Sequence, residues 1–230
     1  TPERTAGSEI LEVHGLTKSF DGQVLFEDVS FTMNRDDKIA LISKDHTALT
    51  HFFDVLAGEQ KPDSGKTVWG ITITPQYLPN ENEEYFVGSQ ESNLVDWLRE
   101  YSPNKDEEFV RGFLGRMLFS GEEVHKQSSV LSGGEKVRCM LSKMMLNAPN
   151  FLILDEPTNH LDLESITAFN NALKEFKGNL IMTSHDFQFI NTVANRIIEI
   201  TPKGIIDRMM TYEEYIRDEK IKEMRAKMYA

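Results

Sequence analysis

Short apolar runs alternate with amphipathic stretches through the second half of the chain. Three of these runs have the length of buried strands: 151–154, 180–184 and 196–200. Two stretches with helical spacing of apolar residues lie between them: 163–176 and 187–194. Strands that alternate with helices in this order form a parallel sheet with helices on both faces. The pattern therefore predicts an α/β core, closed by a hairpin between the last apolar run and 205–209.

The first half has two different patterns. Apolar and polar residues alternate at 10–14 and again within 24–33, and Asp21-Gly22 supplies a turn signal between them. A short apolar strand at 39–42 is then followed by helical periodicity at 48–57. Residues from about 90 to 148 are helical and interrupt the strand order, so we expect them to form a lobe of their own.

Composition restricts the partners that the chain can bind by itself. The chain has 230 residues and a net charge of −12, which disfavours direct binding to nucleic acid or to an anionic membrane surface. Its single cysteine, Cys139, allows no internal disulfide and suits a reducing compartment. No apolar run approaches the ~20 residues that cross a bilayer. We therefore expect a cytoplasmic protein that does not insert into a membrane.

The segment Leu131-Ser-Gly-Gly-Glu135 carries the most specific chemical signal. Ser132 and Glu135 have the spacing of a capping box, which fixes the beginning of a helix. The two glycines between them allow a ligand to approach the backbone, and the free N–H groups of the helix end favour an anion. An ordinary capped helix is the alternative interpretation.

Further candidate residues follow predicted strands. Asp155 and Glu156 end the apolar run that begins at Phe151, where they could hold Mg²⁺ and position a water molecule. A plain surface pair is the alternative. His185 follows the next strand and could reach a terminal phosphate, or it could simply cap a helix. Gln76 could complete the metal shell. Phe20 could stack on an adenine, although a core phenylalanine has the same sequence signature.

Together these residues resemble the ATP-binding-cassette ATPases, over nearly the whole chain. Three features make it similar to the F group, which comprises two-cassette proteins that act on the ribosome: Glu135, Thr158-Asn-His-Leu-Asp162, and the stretch 113–122. The resemblance implies that Glu156 is the catalytic glutamate, His185 the switch histidine and Phe20 the adenine-stacking aromatic. It also implies that Ser132, Gly133, Gly134 and Glu135 form the signature that contacts ATP on an opposing cassette, and that Asp162 lies at that interface.

The phosphate-binding loop departs from the family pattern G-x-x-x-x-G-K-S/T. The aligned residues are Ser43, Lys44, Asp45, His46, Thr47, Ala48, Leu49 and Thr50. Both glycines are replaced and Leu49 stands where the lysine belongs, so only Thr50 keeps its role as a Mg²⁺ ligand beside Asp155 and Gln76. We therefore expect weak ATP binding in cis and service to another cassette in trans.

The resemblance implies a P-loop-type parallel sheet with an antiparallel β subdomain and a helical signature subdomain at about 90–148. We interpret 1–8 as a linker tail, 9–211 as the cassette and 212–230 as a C-terminal helix. The parent protein is then expected to be an ATPase that uses ATP and Mg²⁺ to regulate translation. Its partners would be a second cassette or another copy of this fragment, with the ribosome and tRNA reached through the parent protein. An ATPase subunit of a membrane transporter and a non-catalytic dimerisation module are the alternatives.

Overall fold

The computed structural model describes residues 9–88 and 92–230, so the predicted linker tail at 1–8 lies outside the described residues. The strands are β1 (Glu9–Phe20), β2 (Gln23–Asn34), β3 (Lys38–Ile42), β4 (Ser64–Trp69), β5 (Pro75–Leu78), β6 (Phe151–Asp155), β7 (Asn179–Thr183), β8 (Arg196–Thr201) and β9 (Gly204–Arg208). The helices are α1 (His46–Ala57), α2 (Leu94–Tyr101), α3 (Glu107–Arg116), α4 (Gly133–Met145), α5 (Leu163–Glu175), α6 (Phe187–Val193), α7 (Tyr212–Arg217) and α8 (Glu219–Met228).

The strands form two sheets. The larger sheet has the strand order β5-β6-β7-β3-β8-β9. Adjacent strands in it are parallel, except for the antiparallel hairpin of β8 and β9. The smaller sheet is antiparallel and has the order β2-β1-β4. The predicted α/β fold is therefore confirmed, including the parallel core, the antiparallel subdomain and the helices at 94–145 that precede β6.

Side-chain alternation along the central strands divides the interior into two apolar clusters. Ile153 of β6 packs in the cluster between the two sheets, with Phe26 and Phe52. Leu152 and Leu154 point to the opposite face, where the cluster reaches the helical lobe. All five residues of β6 are buried, as expected for a parallel strand covered on both faces. None of the helices in 9–88 and 92–230 is long and apolar enough to cross a membrane.

The C-terminal segment differs from the single helix that the sequence predicts. Asp218 has extended backbone angles (φ −70°, ψ 119°) and its carboxylate accepts the N–H of Ile221, so one helix ends and α8 begins at this residue. The buried Glu199 of β8 anchors both helices, because it accepts hydrogen bonds from Tyr215 (2.6 Å), Arg225 (2.8 Å) and Tyr229 (2.8 Å). A carboxyl group buried on β8 thus fixes the end of the chain against the core.

Candidate functional site

The site lies where β3, β6 and β7 end. These three strands are parallel neighbours, so their carboxyl ends meet at one edge of the sheet. Asp155 pairs with Thr183 in register, and the N–H of Glu156 donates to the carbonyl of Thr183 (3.0 Å). The polar residues that follow each strand therefore converge on the N-terminal end of α1, which follows β3. Ligands of open parallel sheets bind at such an edge.

Asp155 and Thr50 form the part of this edge that suits a divalent cation. The Thr50 hydroxyl donates to Oδ2 of Asp155 (3.2 Å), whereas the buried Oδ1 has no hydrogen-bond partner among the described residues. Burial raises the pKa of Asp155 to about 7, and the negative charge of Glu156 adds to this effect while the Thr50 hydrogen bond opposes it. A hydroxyl beside an unsatisfied carboxylate oxygen is a donor set that Mg²⁺ accepts. These two residues therefore fit the predicted metal.

Glu156 and His185 lie together, as the order of the strands predicts. Glu156 is buried and has a left-handed backbone (φ 51°), which turns its side chain back over the strand ends. Its Oε2 accepts the backbone N–H of His185 (3.0 Å), and its Oε1 lies 3.3 Å from Nε2 of the same histidine. His46, from the phosphate loop, also approaches Oε1 with its Nδ1 (3.9 Å).

In the segment 43–50, which aligns with the phosphate loop, side chains accept hydrogen bonds from backbone N–H groups of the same segment. The carboxylate of Asp45 caps α1 by accepting the N–H of Thr47 (3.0 Å), so the chain itself supplies an anion at this helix end. Ala48 and Leu49 are buried, and Leu49 packs in the cluster between the sheets and does not face the loop. The Ser43 hydroxyl accepts the N–H of Asp45 (3.1 Å). Contacts within the segment, made by Asp45, Ser43 and Leu49, thus set the geometry of the loop and of the beginning of α1.

Lys44 contacts Tyr229, which lies near the C-terminal end of the chain. Its ammonium group lies 4.1 Å from the centre of the Tyr229 ring, and its backbone N–H donates to the Tyr229 hydroxyl (3.3 Å). Tyr229 is in turn held by Glu199. The only lysine of the loop therefore contacts an aromatic residue far along the chain, and sequence reasoning missed Tyr229 because no local pattern connects the two.

The signature segment has the predicted capping box. Ser132 accepts the N–H of Glu135 (3.2 Å), and the Glu135 carboxylate accepts the N–H of Ser132 (3.2 Å). Burial alone would raise the pKa of Glu135, but the Lys126 ammonium group (2.8 Å) and Ser132 outweigh burial and hold that pKa below its ordinary value.

The glycines of the signature also pack against their own chain. A Cβ on Gly134 would lie 2.6 Å from the carbonyl oxygen of His160, and one on Gly133 would lie 3.1 Å from the His160 side chain. The loop that follows β6 therefore rests directly on the beginning of α4. It links Glu156, four residues before His160, to the helix that carries the signature.

The remaining predicted residues have different surroundings. Phe20 is 51% exposed with its ring 4.7 Å from that of His51, so it is not a core phenylalanine. Asp162 caps α5 by accepting the N–H of Ser165 (2.8 Å), and hydrogen bonds from the Ser165 side chain and from this N–H lower the pKa of Asp162. Gln76 lies inside β5, whereas the cleft beside Thr50 is lined by Asn80, two residues beyond the strand end. Sequence reasoning missed Asn80, and its place after an apolar strand is the signal that could have found it.

Known proteins are similar to this chain in sequence and in fold. The family model described as "ABC transporter" matches residues 26–159. The "Uncharacterized ABC transporter ATP-binding protein YkpA" of Bacillus subtilis is 58% identical over 100% of this chain and 43% of its own length. The "Energy-dependent translational throttle protein EttA" of Haemophilus influenzae is 32% identical over 93% of this chain and 39% of its own length.

Two further matches add a plant relative and a solved structure. The "ABC transporter F family member 5" of Arabidopsis thaliana is 30% identical over 94% of this chain and 31% of its own length. A solved "ATP binding subunit of ABC transporter" has the same fold, with a TM-score of 0.76 at 19% identity over 96% of this chain and 100% of that structure. The chain thus spans less than half the length of the three curated relatives.

The buried Asp155 carboxylate predicts a specific pH dependence of stability in metal-free buffer. Its pKa in the folded state, about 7, exceeds the ordinary value near 4, so the folded state retains its proton longer than the unfolded state. Folding stability therefore falls between about pH 4 and pH 7 as the pH rises. Asp155→Asn removes this loss, and its free energy of unfolding should exceed that of the unchanged chain at pH 8 by ~1–4 kcal/mol.

Urea denaturation in the presence of EDTA measures both curves. Glu122→Gln, which alters an exposed carboxylate, is the matched control and should leave the pH dependence unchanged. Parallel pH curves for Asp155→Asn and the unchanged chain would contradict the assignment of the buried charge.

Proposed function

Because this chain belongs to the ABC transporter family of ATP-binding cassettes, we propose that it is one cassette of a two-cassette protein of the F group. Cassettes of this family bind ATP, usually with Mg²⁺, and hydrolyse it. The relatives are more than twice as long as the region that matches this chain, which leaves room for a second cassette. In this proposal, the chain is the second cassette and its signature acts on ATP held by the first.

One observation carries the proposal: the chain keeps the signature residues at 132–135, but its phosphate loop at 43–50 lacks both glycines and has Leu49 in place of the lysine. Leu49 is buried where the lysine would stand, and Asp45 supplies a carboxylate at the end of α1. The loss of a charged hydrogen bond to phosphate costs roughly 1.5–3 kcal/mol. This corresponds to a loss of about tenfold to more than a hundredfold in affinity, before any repulsion from Asp45. ATP binding to this chain's own loop is therefore weak.

The signature supports a role in trans. Its capping box fixes the beginning of α4, where Ser132 and Gly133 are exposed and the helix dipole favours an anion. In the proposed assembly, Ser132, Gly133 and Gly134 contact the γ-phosphate of ATP on the opposing cassette, while Glu135 holds the helix end in place. Asp162 lies at the interface between the cassettes, and the packing of His160 on Gly134 couples that interface to Glu156.

The retained polar residues indicate that the chain's own site keeps a function. We assign Glu156 as the residue that positions water, His185 as its partner at the terminal phosphate, and Thr50 with Asp155 as the Mg²⁺ ligands. Phe20 is exposed and available to stack on an adenine. Slow or regulatory turnover of ATP fits this combination of retained carboxylates and a phosphate loop that has Leu49 in place of its lysine.

The proposed domain division follows from the same assignment. Residues 9–211 form the cassette with the helical lobe at about 90–148, and 212–230 form a C-terminal segment that closes on Lys44. Residues 1–8 would belong to the linker between cassettes.

We further propose that the parent protein regulates translation in the cytoplasm. A relative of similar sequence is a translational throttle protein by name, and another is an F family member by name. This cassette is strongly acidic, so contact with the ribosome and tRNA would come through other parts of the parent protein.

Ser132→Asp tests the role of the signature in trans within the complete parent protein. Aspartate caps a helix as well as serine does, so α4 should stay intact. Its charge, however, repels a γ-phosphate, and we expect ATP turnover to fall at least about tenfold. Ser132→Asn is the matched control because it caps the helix without a charge and should retain most of the turnover. Equal turnover in both variants would contradict the proposal and favour a non-catalytic dimerisation module.

Co-sedimentation separates the translation proposal from a transporter subunit. The complete protein carrying Glu156→Gln should bind ATP and then stay on the ribosome, since the variant loses the carboxylate assigned to ATP hydrolysis. We expect ribosome pelleting to increase with ATP for this variant, and to stay low for Ser132→Asp combined with Glu156→Gln. Recovery with membrane proteins and absence from the ribosome pellet would favour the transporter subunit.

A further inference from the structure

His46 places a metal-ligating side chain where the family pattern has only a loop position. It is the first residue of α1, and it faces the ends of β6 and β7. We propose that His46, Glu156 and His185 form a site for a divalent transition-metal ion of the Zn²⁺ class. This site is distinct from the Thr50–Asp155 pair, and it is a property of the folded chain that does not depend on the proposed function.

The three potential ligand atoms already have nearly the spacing that one ion requires. They all lie within 4.8 Å of one another. Nε2 of His185 is 3.3 Å from Oε1 of Glu156, and Nδ1 of His46 is 3.9 Å from the same oxygen. Ligands at about 2.0–2.2 Å from a tetrahedral Zn²⁺ are separated by roughly 3.3–3.6 Å. Small side-chain rotations therefore suffice to close the site.

The central ligand is buried, fixed and unsatisfied. Oε2 of Glu156 accepts the backbone N–H of His185, which orients the carboxylate, whereas Oε1 is buried and has no hydrogen-bond partner within 9–88 and 92–230. A buried carboxylate oxygen without a partner costs free energy, and coordination of a cation removes that cost. Oε1 is also the atom that both imidazoles approach.

The two histidines are arranged as a pair open to solvent on one side. Their ring centroids are 5.3 Å apart and the planes are inclined by 37°. His46 is partly buried, while the His185 side chain is 80% exposed and leaves a path for an ion to enter. The ligands come from the beginning of α1 and from the ends of β6 and β7, so a bound ion would connect three separate elements.

The donor set selects the class of ion. Two imidazole nitrogens and one carboxylate suit Zn²⁺, Co²⁺ or Ni²⁺, whereas Mg²⁺ prefers oxygen ligands and octahedral geometry. Three protein ligands leave a coordination position open for water or for an oxygen of an anion. Such an ion would restore a positive charge to a loop whose lysine is replaced by Leu49.

Competition with a chromogenic chelator at pH 7.5 tests the site on the chain without nucleotide. The unchanged chain should bind one Zn²⁺ per molecule with micromolar or tighter affinity, millimolar Mg²⁺ should not displace it, and bound Co²⁺ should show tetrahedral visible absorption. His46→Gln should weaken Zn²⁺ binding by at least about tenfold, because even loss of an outer-shell partner has an effect of that size. His125→Gln removes an exposed histidine and is the matched control.

Circular dichroism and thermal unfolding of both variants show whether each is folded, and Zn²⁺ should raise the Tm of the unchanged chain and of His125→Gln only. The proposal is overturned if the unchanged chain binds no Zn²⁺ at 100 µM, a concentration about a hundredfold above micromolar affinity. It is equally overturned if His46→Gln binds Zn²⁺ as tightly as His125→Gln, or if millimolar Mg²⁺ displaces the ion.

Discussion

The parallel pairing of β6, β7 and β3 is the constraint on which the site depends. Because these strands are neighbours and run in the same direction, the residues after each one are brought to a single edge. Asp155, Glu156 and His185 owe their proximity to this pairing, although about thirty residues of sequence separate the first from the last. The left-handed turn at Glu156 then directs the carboxylate towards α1. Register errors in β6 would therefore disperse the whole group.

In the loop at 43–50, the helix end, the lysine and the buried position of α1 are all satisfied by groups of the same chain. A helix end attracts an anion, and here Asp45 supplies it. An ammonium group is attracted to the face of an aromatic ring, and Lys44 packs on the Tyr229 ring. A buried position near the start of α1 accepts an apolar side chain, and Leu49 fills it. Each of these contacts is made within the chain itself, so the loop is well packed without a bound phosphate.

The sequence predicted the elements far better than the contacts between them. The apolar runs at β6 and β7 and the capping box of Ser132 and Glu135 depend on neighbouring residues, so periodicity and spacing were sufficient. The contact between Lys44 and Tyr229 joins residues 185 positions apart, and no local pattern encodes it.

Of two predictions near element ends, one stays untested and one differs from the structure. Gln76 stays a predicted residue of the metal shell: it lies inside β5, and the cleft beside Thr50 is lined by Tyr77, Pro79 and Asn80. The break between α7 and α8 was missed, although Asp218 is a good helix cap, because the charged stretch around it has helical composition throughout. In both places the uncertainty concerns the boundary of an element and not its type.

The most direct test of the central claim is the affinity of this chain for ATP with Mg²⁺, measured by isothermal titration calorimetry. A loop that supplies its own anion and has Leu49 in place of the phosphate-binding lysine predicts dissociation constants on the order of millimolar or weaker. Saturable binding with a micromolar dissociation constant would contradict the account, because it would mean that the reshaped loop holds a triphosphate as firmly as a glycine-lysine loop.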